Sequence, residues 1–285
     1  MNNFQARNRL FLGYGDIAMR TAKLSLDRGL QVTAMRRSQK TASNINILAG
    51  DVTQPEHLKR CIGEDTWDIA LILTPDNYSE QGYRDSYLAA AATLSSVLPT
   101  ISPGSRVIFV SSTSVYGQNE GQWVDESSPC QPRSDTAKVL LEAETAIADM
   151  GLNFCNLRFS GIYGPGRTRI IERTKTGVIP ASEPIHWTNR IYADDCAGVI
   201  DHLFSLPEMP DTILATDSLP TPRHQVQSFI AEMLNVTVTP EPAKTDKQTP
   251  TGKRCKNDRL IEIGYEFKCT DYREGFSKLI KQEHL

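Results

Sequence analysis

Near the start of the chain, Gly13-Tyr14-Gly15-Asp16-Ile17-Ala18 follows the apolar run Leu10–Leu12 and opens a segment with Ala22 and Leu26 at helical spacing. Glycines in this order serve a strand that turns into a helix. Gly13 permits the tight turn, Gly15 lets backbone approach a pyrophosphate, and Ala18 allows close packing of helix on strand. The phosphates would lie at the helix N-terminus beside Asp16 and Ile17, where unpaired N–H groups and the helix dipole favour anions. The expected ligand is a dinucleotide.

The end of the next apolar run selects which dinucleotide. About twenty residues beyond such glycines, an Asp or Glu ordinarily binds the ribose 2′-hydroxyl. Here the run closes Ala34-Met35-Arg36-Arg37-Ser38, with no acid. Arg36, Arg37 and Ser38 suit a 2′-phosphate, because guanidinium groups give planar, charge-assisted donors to phosphate oxygens. NADP(H) is therefore the expected cofactor, with NAD(H) as the alternative. A solvated basic turn is the plainer reading. Gly50-Asp51-Val52, after a third run, would border the adenine, although Asp after a strand is also an ordinary turn residue.

Elements of a particular kind must position these groups. Leu10–Leu12, Gln31–Met35, Asn46–Leu48, Ile69–Leu73, Arg106–Val110 and Asn153–Leu157 read as strands. Helical stretches run to Arg28, from after Leu73 to Leu98, and from about Thr136 to Met150. Strands separated by helices at this spacing predict a doubly wound α/β fold of Rossmann type, a parallel sheet with helices on both faces. The dinucleotide-binding domain is expected over 1–165, with 190–217 returning to it. Residues 166–285, interrupted by Pro180, Pro184, Pro207, Pro210, Pro220 and Pro222, are expected to form mainly a smaller substrate-binding region. The stretch from Pro240 to Asn257 is polar and lacks apolar periodicity.

Composition narrows the partners. Against 34 acidic residues stand 31 basic ones, a net charge of −3 with no dense basic run, so neither nucleic acid nor an anionic membrane is expected. A small-molecule substrate is the expected partner, and monomer or homodimer both fit. No apolar stretch of membrane-spanning length or secretory h-region is present, which implies a cytoplasmic protein. Six scattered cysteines form no C-x-x-C pair and the five histidines no H-x-x-x-H pattern, so neither a disulfide framework nor a metal site is expected.

Three later segments carry a family resemblance: Val110-Ser111-Ser112-Thr113-Ser114-Val115-Tyr116-Gly117, Leu157-Arg158-Phe159-Ser160-Gly161-Ile162-Tyr163-Gly164-Pro165-Gly166-Arg167, and Asn189-Arg190-Ile191-Tyr192-Ala193-Asp194-Asp195. Together they resemble the extended short-chain dehydrogenase/reductases, the NAD-dependent epimerase/dehydratase group, and within it the atypical YeeZ-type subgroup. The likeness runs over nearly the whole chain. It implies Ser112 at the catalytic Ser/Thr position and Lys138 at the catalytic Lys, where the ammonium binds the nicotinamide ribose and acidifies a Tyr four residues earlier. That place holds Ser134. A serine hydroxyl is far less acidic than a phenol and cannot be an equivalent proton donor.

If the reaction needs a proton donor, Tyr163 is the first candidate to replace the phenol, followed by Tyr116 and Asp135. Tyr116, Arg167 and Arg190 are candidates for substrate binding, the arginines for an anionic group. Each has a plainer reading: Ser134 as a helix N-cap, Lys138 as a solvated lysine, Ser112 as a strand-end hydrogen-bonder, the tyrosines as packing, and Arg190 paired with Asp194. The resemblance implies an oxidoreductase or epimerase/dehydratase-like enzyme acting on a small polar, sugar-derived or anionic substrate, and Arg36, Arg37 and Ser38 make NADP(H) its expected cofactor. A catalytically silent NADP(H)-binding sensor is the alternative, favoured by the missing phenol.

Overall fold

Strand β1 (Asn8–Leu12) buries Leu10, Phe11 and Leu12 alike, so both its faces are covered, as a sheet between two helical layers requires. The computed structural model describes residues 8–38, 44–62, 67–97, 101–102, 104–242 and 249–283. Six more strands join β1: β2 (Val32–Arg36), β3 (Asn46–Ala49), β4 (Trp67–Leu71), β5 (Arg106–Ser112), β6 (Asn153–Phe159) and β7 (Thr212–Ala215), in the order β7-β6-β5-β4-β1-β2-β3. From β5 across to β3 the pairings are parallel, with Leu10 between Thr33 and Ile69, and Ile69 beside Val107. This is the doubly wound α/β architecture, and its order reverses at β1, where open sheets of this kind bind ligands at their carboxyl edge.

The helices are α1 (Asp16–Asp27), α2 (Pro55–Cys61), α3 (Glu80–Tyr83), α4 (Ala89–Ser96), α5 (Asp135–Ala148), α6 (Arg169–Lys175), α7 (Ala193–Ser205), α8 (Arg223–Met233), α9 (Asp258–Glu262) and α10 (Tyr272–Glu283). The sequence suggests one helix running to Leu98. Instead, Ser79 caps α3 through a bond from the Gly82 N–H (3.1 Å), and Arg84–Leu88 forms a π-helical turn before α4. Leu98 itself lies outside the described residues.

The chain divides into two compact units: residues 1–115, 132–158 and 197–213 in the first, and 116–131, 159–196 and 214–285 in the second. Residues 197–213 return to the first unit. Residues 116–131 and 159–165, expected in the first domain, belong to the second unit.

Buried charges of the first unit are paired. Arg9 donates to Ser25 (2.8 Å) and to Asp201, which also receives Arg28 at 2.7 Å. Arg106 holds Asp68 through two bonds of 2.8 Å and donates to the Phe204 and Leu206 carbonyls, while Arg158 clasps Glu144. Leaving either member of such a pair alone would strand a charge in the interior. Arg106–Asp68 joins β5 to β4, Arg28–Asp201 joins the end of α1 to the returning segment, and the other contacts tie the sheet to α1, α5 or the returning segment.

In the second unit, Tyr163, Tyr192 and Ile171 pack with Val226, Ile230 and Phe276 in one apolar core. Gly252–Cys255 pairs in parallel with Glu120–Val124, although its sequence shows no periodicity. The guanidinium of Arg254 lies over the Trp123 and Trp187 rings, with centroids at 4.7 and 5.0 Å, and its Nε donates to the Gly121 carbonyl. Side-chain stacking and backbone pairing thus hold a strand without hydrophobic alternation. Residues 243–248 of that polar stretch lie outside the described residues.

Candidate dinucleotide site

At the carboxyl end of β1 the chain turns through Gly13 at φ +92°, and its N–H bonds the Met35 carbonyl at 3.1 Å. An added Cβ there would stand 2.2 Å from the Ile72 carbonyl oxygen, so only glycine fits. Gly15 differs. It is the N-cap residue of α1 with φ −90°, no side chain caps the helix, and an added Cβ would meet nothing within 4 Å. Open space beside Gly15 and an uncapped first turn of α1 together leave room for a bound anion. Ala18, fully buried, allows α1 to lie close on the sheet.

This space belongs to a cavity of about 640 Å³ in the first unit. Gly13, Gly15, Arg36, Arg37, Ser38, Asp51 and Val52 line it, so seven of the expected cofactor residues converge. Asp16 and Ile17 are not among its lining residues. Asp16 instead bonds Arg20 one turn later (2.9 Å), and Ile17 is buried under the helix. Asp51 accepts from the Thr53 N–H and hydroxyl at 2.9 and 2.8 Å, while its own N–H donates to His57 Nδ1. That turn fixes the backbone at the end of β3.

The two arginines differ in their partners. Arg36 Nε donates to Ser38 Oγ at 3.1 Å. Arg37 is engaged by Asp76, Nη1 to Oδ2 and Nη2 to Oδ1, both at 2.5 Å. This ion pair holds the Asp76 carboxyl below the usual carboxylate range. Asp76 also lines the cavity, together with Thr74, Asn77, Asp85 and Ser86. Sequence reasoning missed these residues. The turn signature Thr74-Pro75-Asp76-Asn77 just past β4 was the available cue, because sites in such sheets gather the loops at the strand ends.

Residues carried over from the family resemblance lie elsewhere, and neither Ser112 nor Lys138 lines this cavity. Ser112 Oγ accepts from the Ser114 N–H at 3.1 Å. Ser134 is the N-cap of α5, accepting from the Ala137 N–H (3.3 Å), which gives that hydroxyl a structural task. Lys138 projects into solvent and pairs with Asp135 at 2.8 Å, a contact that raises its pKa.

In the second unit Tyr163 is 4 % exposed, wedged between Tyr192 and Phe276, with its hydroxyl directed at the Asp271 carbonyl (3.5 Å). Burial pushes its phenol well above the ordinary tyrosine range. These surroundings favour a packing role for Tyr163 over the expected proton transfer. A phenol held in an apolar core, its anion disfavoured by desolvation, is a packing residue. Tyr116, at 1 % exposure, is likewise too deeply buried to present its ring to a substrate, and its carbonyl accepts from Lys253 Nζ at 2.6 Å.

Arg167 is half-buried and closes a turn through its N–H to the Gly164 carbonyl. Arg190 is buried and donates to Thr188 Oγ1 at 2.8 Å rather than to Asp194. Near it, Asp217 is 2 % exposed. One carboxylate oxygen accepts from the Leu219 N–H, and the other has no hydrogen-bond partner. Burial pushes the Asp217 carboxyl up to about 7, opposed in part by the charge of Arg190.

Among the described residues, no three His, Cys, Asp or Glu side chains gather as a metal site, and no helix is long and apolar enough to cross a membrane. The first unit thus offers a glycine turn, an uncapped helix N-terminus and two arginines around one cavity, a donor set suited to a phosphorylated dinucleotide.

Known proteins resemble the chain over almost its entire length. Protein YeeZ of Escherichia coli K12 is 27 % identical over 271 residues, 91 % of this chain and 95 % of YeeZ. A Methylobacillus flagellatus structure described as a candidate NAD-dependent epimerase/dehydratase is 31 % identical, with a TM-score of 0.81 over 99 % of this chain and all of the other. The fold is shared with dTDP-glucose 4,6-dehydratase of Bacillus anthracis in complex with NAD, at 16 % identity and a TM-score of 0.79 over 98 % of this chain and 97 % of that one. With a match of the family model across residues 13–207, the chain belongs to the NAD dependent epimerase/dehydratase family.

Proposed function

We propose that the chain binds NADP(H) in the first-unit cavity and acts as an oxidoreductase or epimerase/dehydratase-like enzyme on a small polar substrate. Membership of the family supports a NAD-dependent epimerase/dehydratase-like role. Preference for the phosphorylated cofactor rests on one observation: Arg36 and Arg37 line the cavity at the end of β2, where a 2′-hydroxyl reader would carry an acid. The open space at Gly15 and the uncapped turn of α1 would take the pyrophosphate, and Asp51 and Val52 would border the adenine. When bound, the nicotinamide supplies hydride transfer, and the protein supplies orientation and electrostatics. Ser112 would orient a substrate oxygen, and Lys138, exchanging Asp135 for ribose hydroxyls, would hold the sugar. Arg167 and Arg190 would receive an anionic substrate group.

Fluorescence titration with both reduced cofactors tests the reading. A 2′-phosphate gains charge-assisted bonds of about 1.5–3 kcal/mol that a hydroxyl cannot replace, so NADPH should bind at least about tenfold more tightly than NADH. Equal affinities, or unchanged discrimination in the Arg36→Ala, Arg37→Ala double variant, would refute it. The sensor reading stays in play because of a specific pair of observations: Ser134 is occupied as a helix cap and Tyr163 is packed in a core. Tight NADPH binding with no turnover across sugar-nucleotide and small carbonyl substrates would favour it.

A further inference from the structure

Among the described residues, Asp76 is the carboxylate bonded to Arg37, an arginine that would read the 2′-phosphate. Its two oxygens meet the two terminal nitrogens of Arg37 at 2.5 Å each, the parallel two-bond arrangement that a phosphate also makes with guanidinium. Both residues line the cavity, and both side chains are mostly solvent-exposed, at 62 % and 68 %. Arg37 follows β2 and Asp76 follows β4, the strands that flank β1 on opposite sides. The pair therefore joins the two edges of the cavity on either side of the glycine turn that ends β1.

We propose that Asp76 is a cofactor-selectivity residue, an internal competitor that occupies Arg37 until a 2′-phosphate displaces it. The inference rests on the dinucleotide reading above. NADPH brings a dianionic group that replaces the carboxylate on Arg37. NADH brings only a hydroxyl and leaves the ion pair in place. Asp76 thus lowers the advantage of the phosphorylated cofactor below what two unengaged arginines would give, and it keeps Arg37 neutralised when no cofactor is bound. Exposed pairs of this kind are weak, so the exchange is readily reversible.

The test measures NADPH and NADH affinities by fluorescence titration for the full-length wild type, Asp76→Asn, Arg37→Ala and the double variant, with a melting curve for each. Asp76→Asn should raise the NADPH-to-NADH affinity ratio about two- to fivefold, the range an exposed ion pair supports. That gain should vanish in the Arg37→Ala background. The proposal would be overturned by NADPH weakened in Asp76→Asn, which would make Asp76 a buttress of Arg37, or by both cofactors tightened equally, which would make the pair a steric strap. A wild type that prefers NADPH beside an inert Asp76→Asn overturns this inference alone, whereas a wild type that binds neither dinucleotide overturns the cofactor reading as well. Because Asp76 is exposed, the variant should melt as the wild type does.

Discussion

Gly15→Val separates what the phosphate loop does for the fold from what it does for a ligand. An added Cβ at Gly15 meets no protein atom within 4 Å, and the backbone lies at φ −90°, where any residue is comfortable. The folding cost should be that of exchanging a favourable N-cap glycine for an unfavourable valine, about 0.5–1 kcal/mol, or about 1–4 °C in Tm for a chain of this size. The ligand loses far more. The valine methyls would fill the approach to the first-turn N–H groups of α1, and losing two charge-assisted bonds at about 1.5–3 kcal/mol each weakens NADPH binding by roughly 10²- to 10⁴-fold. Gly13→Ala is the control. Its Cβ would lie 2.2 Å from the Ile72 carbonyl oxygen at φ +92°, so the strand end itself must move, and this variant should melt well below Gly15→Val. Thermal melting beside NADPH titration reads both quantities. Normal affinity in a folded Gly15→Val protein would show the loop to be only a tight turn, and a Gly15→Val protein melting as poorly as Gly13→Ala would contradict the open space described.

Two more predictions concern the buried carboxylate and the residues around position 134. Folded, Asp217 titrates at about 7 against an ordinary value of 3.8, so between these the native state keeps a proton that the unfolded chain has released, and stability falls as pH rises. Three pKa units set an upper limit of roughly 4 kcal/mol, so Asp217→Asn should flatten the decline in Tm from pH 4 to 8; an unchanged profile would mean that another group carries it. Once a substrate is found, Lys138→Met should lower kcat about 10²-fold or more with an unaltered melting curve, whereas Ser134→Ala should lose about 1 kcal/mol of stability and little turnover. A Ser134→Ala enzyme that melts normally but loses activity a thousandfold would make that hydroxyl a proton relay.

The parallel sheet was legible in the sequence because central strands covered on both faces must be apolar throughout, as in Phe11, Ala70, Leu71, Ile108 and Phe109. Gly13, Gly15 and the arginines were legible because backbone conformation and phosphate chemistry restrict those positions to few residue types. Ser134 read correctly as a cap through its place before a helix. The ion pair between Arg37 and Asp76 was not legible, since it joins residues 39 apart that only the strand order brings together. Nor was the π-helical turn, because nothing in Arg84-Asp85-Ser86-Tyr87-Leu88 distinguishes a π turn from an α turn. Tyr163 was given a chemical role from its loop alone. What the loop did not reveal was α10, where Gly275 leaves room for the Tyr163 ring, so closely that an added Cβ would overlap the hydroxyl.

The bond between Arg9 and Asp201 spans 192 positions of the chain, and it sets a timetable for synthesis. At about 5–20 residues per second, the strand bearing Arg9 leaves the ribosome on the order of 10–40 s before the residue that neutralises it. Arg106 waits too, because the Phe204 and Leu206 carbonyls that complete its bonds are made about a hundred residues later. Through that interval the nascent sheet holds two arginines short of their final partners, and two segments of the second unit, 116–131 and 159–196, emerge before the first can close. The later-starting unit therefore interrupts the earlier one, and a chain released before residue 201 would leave Arg9 without the carboxylate that its burial requires.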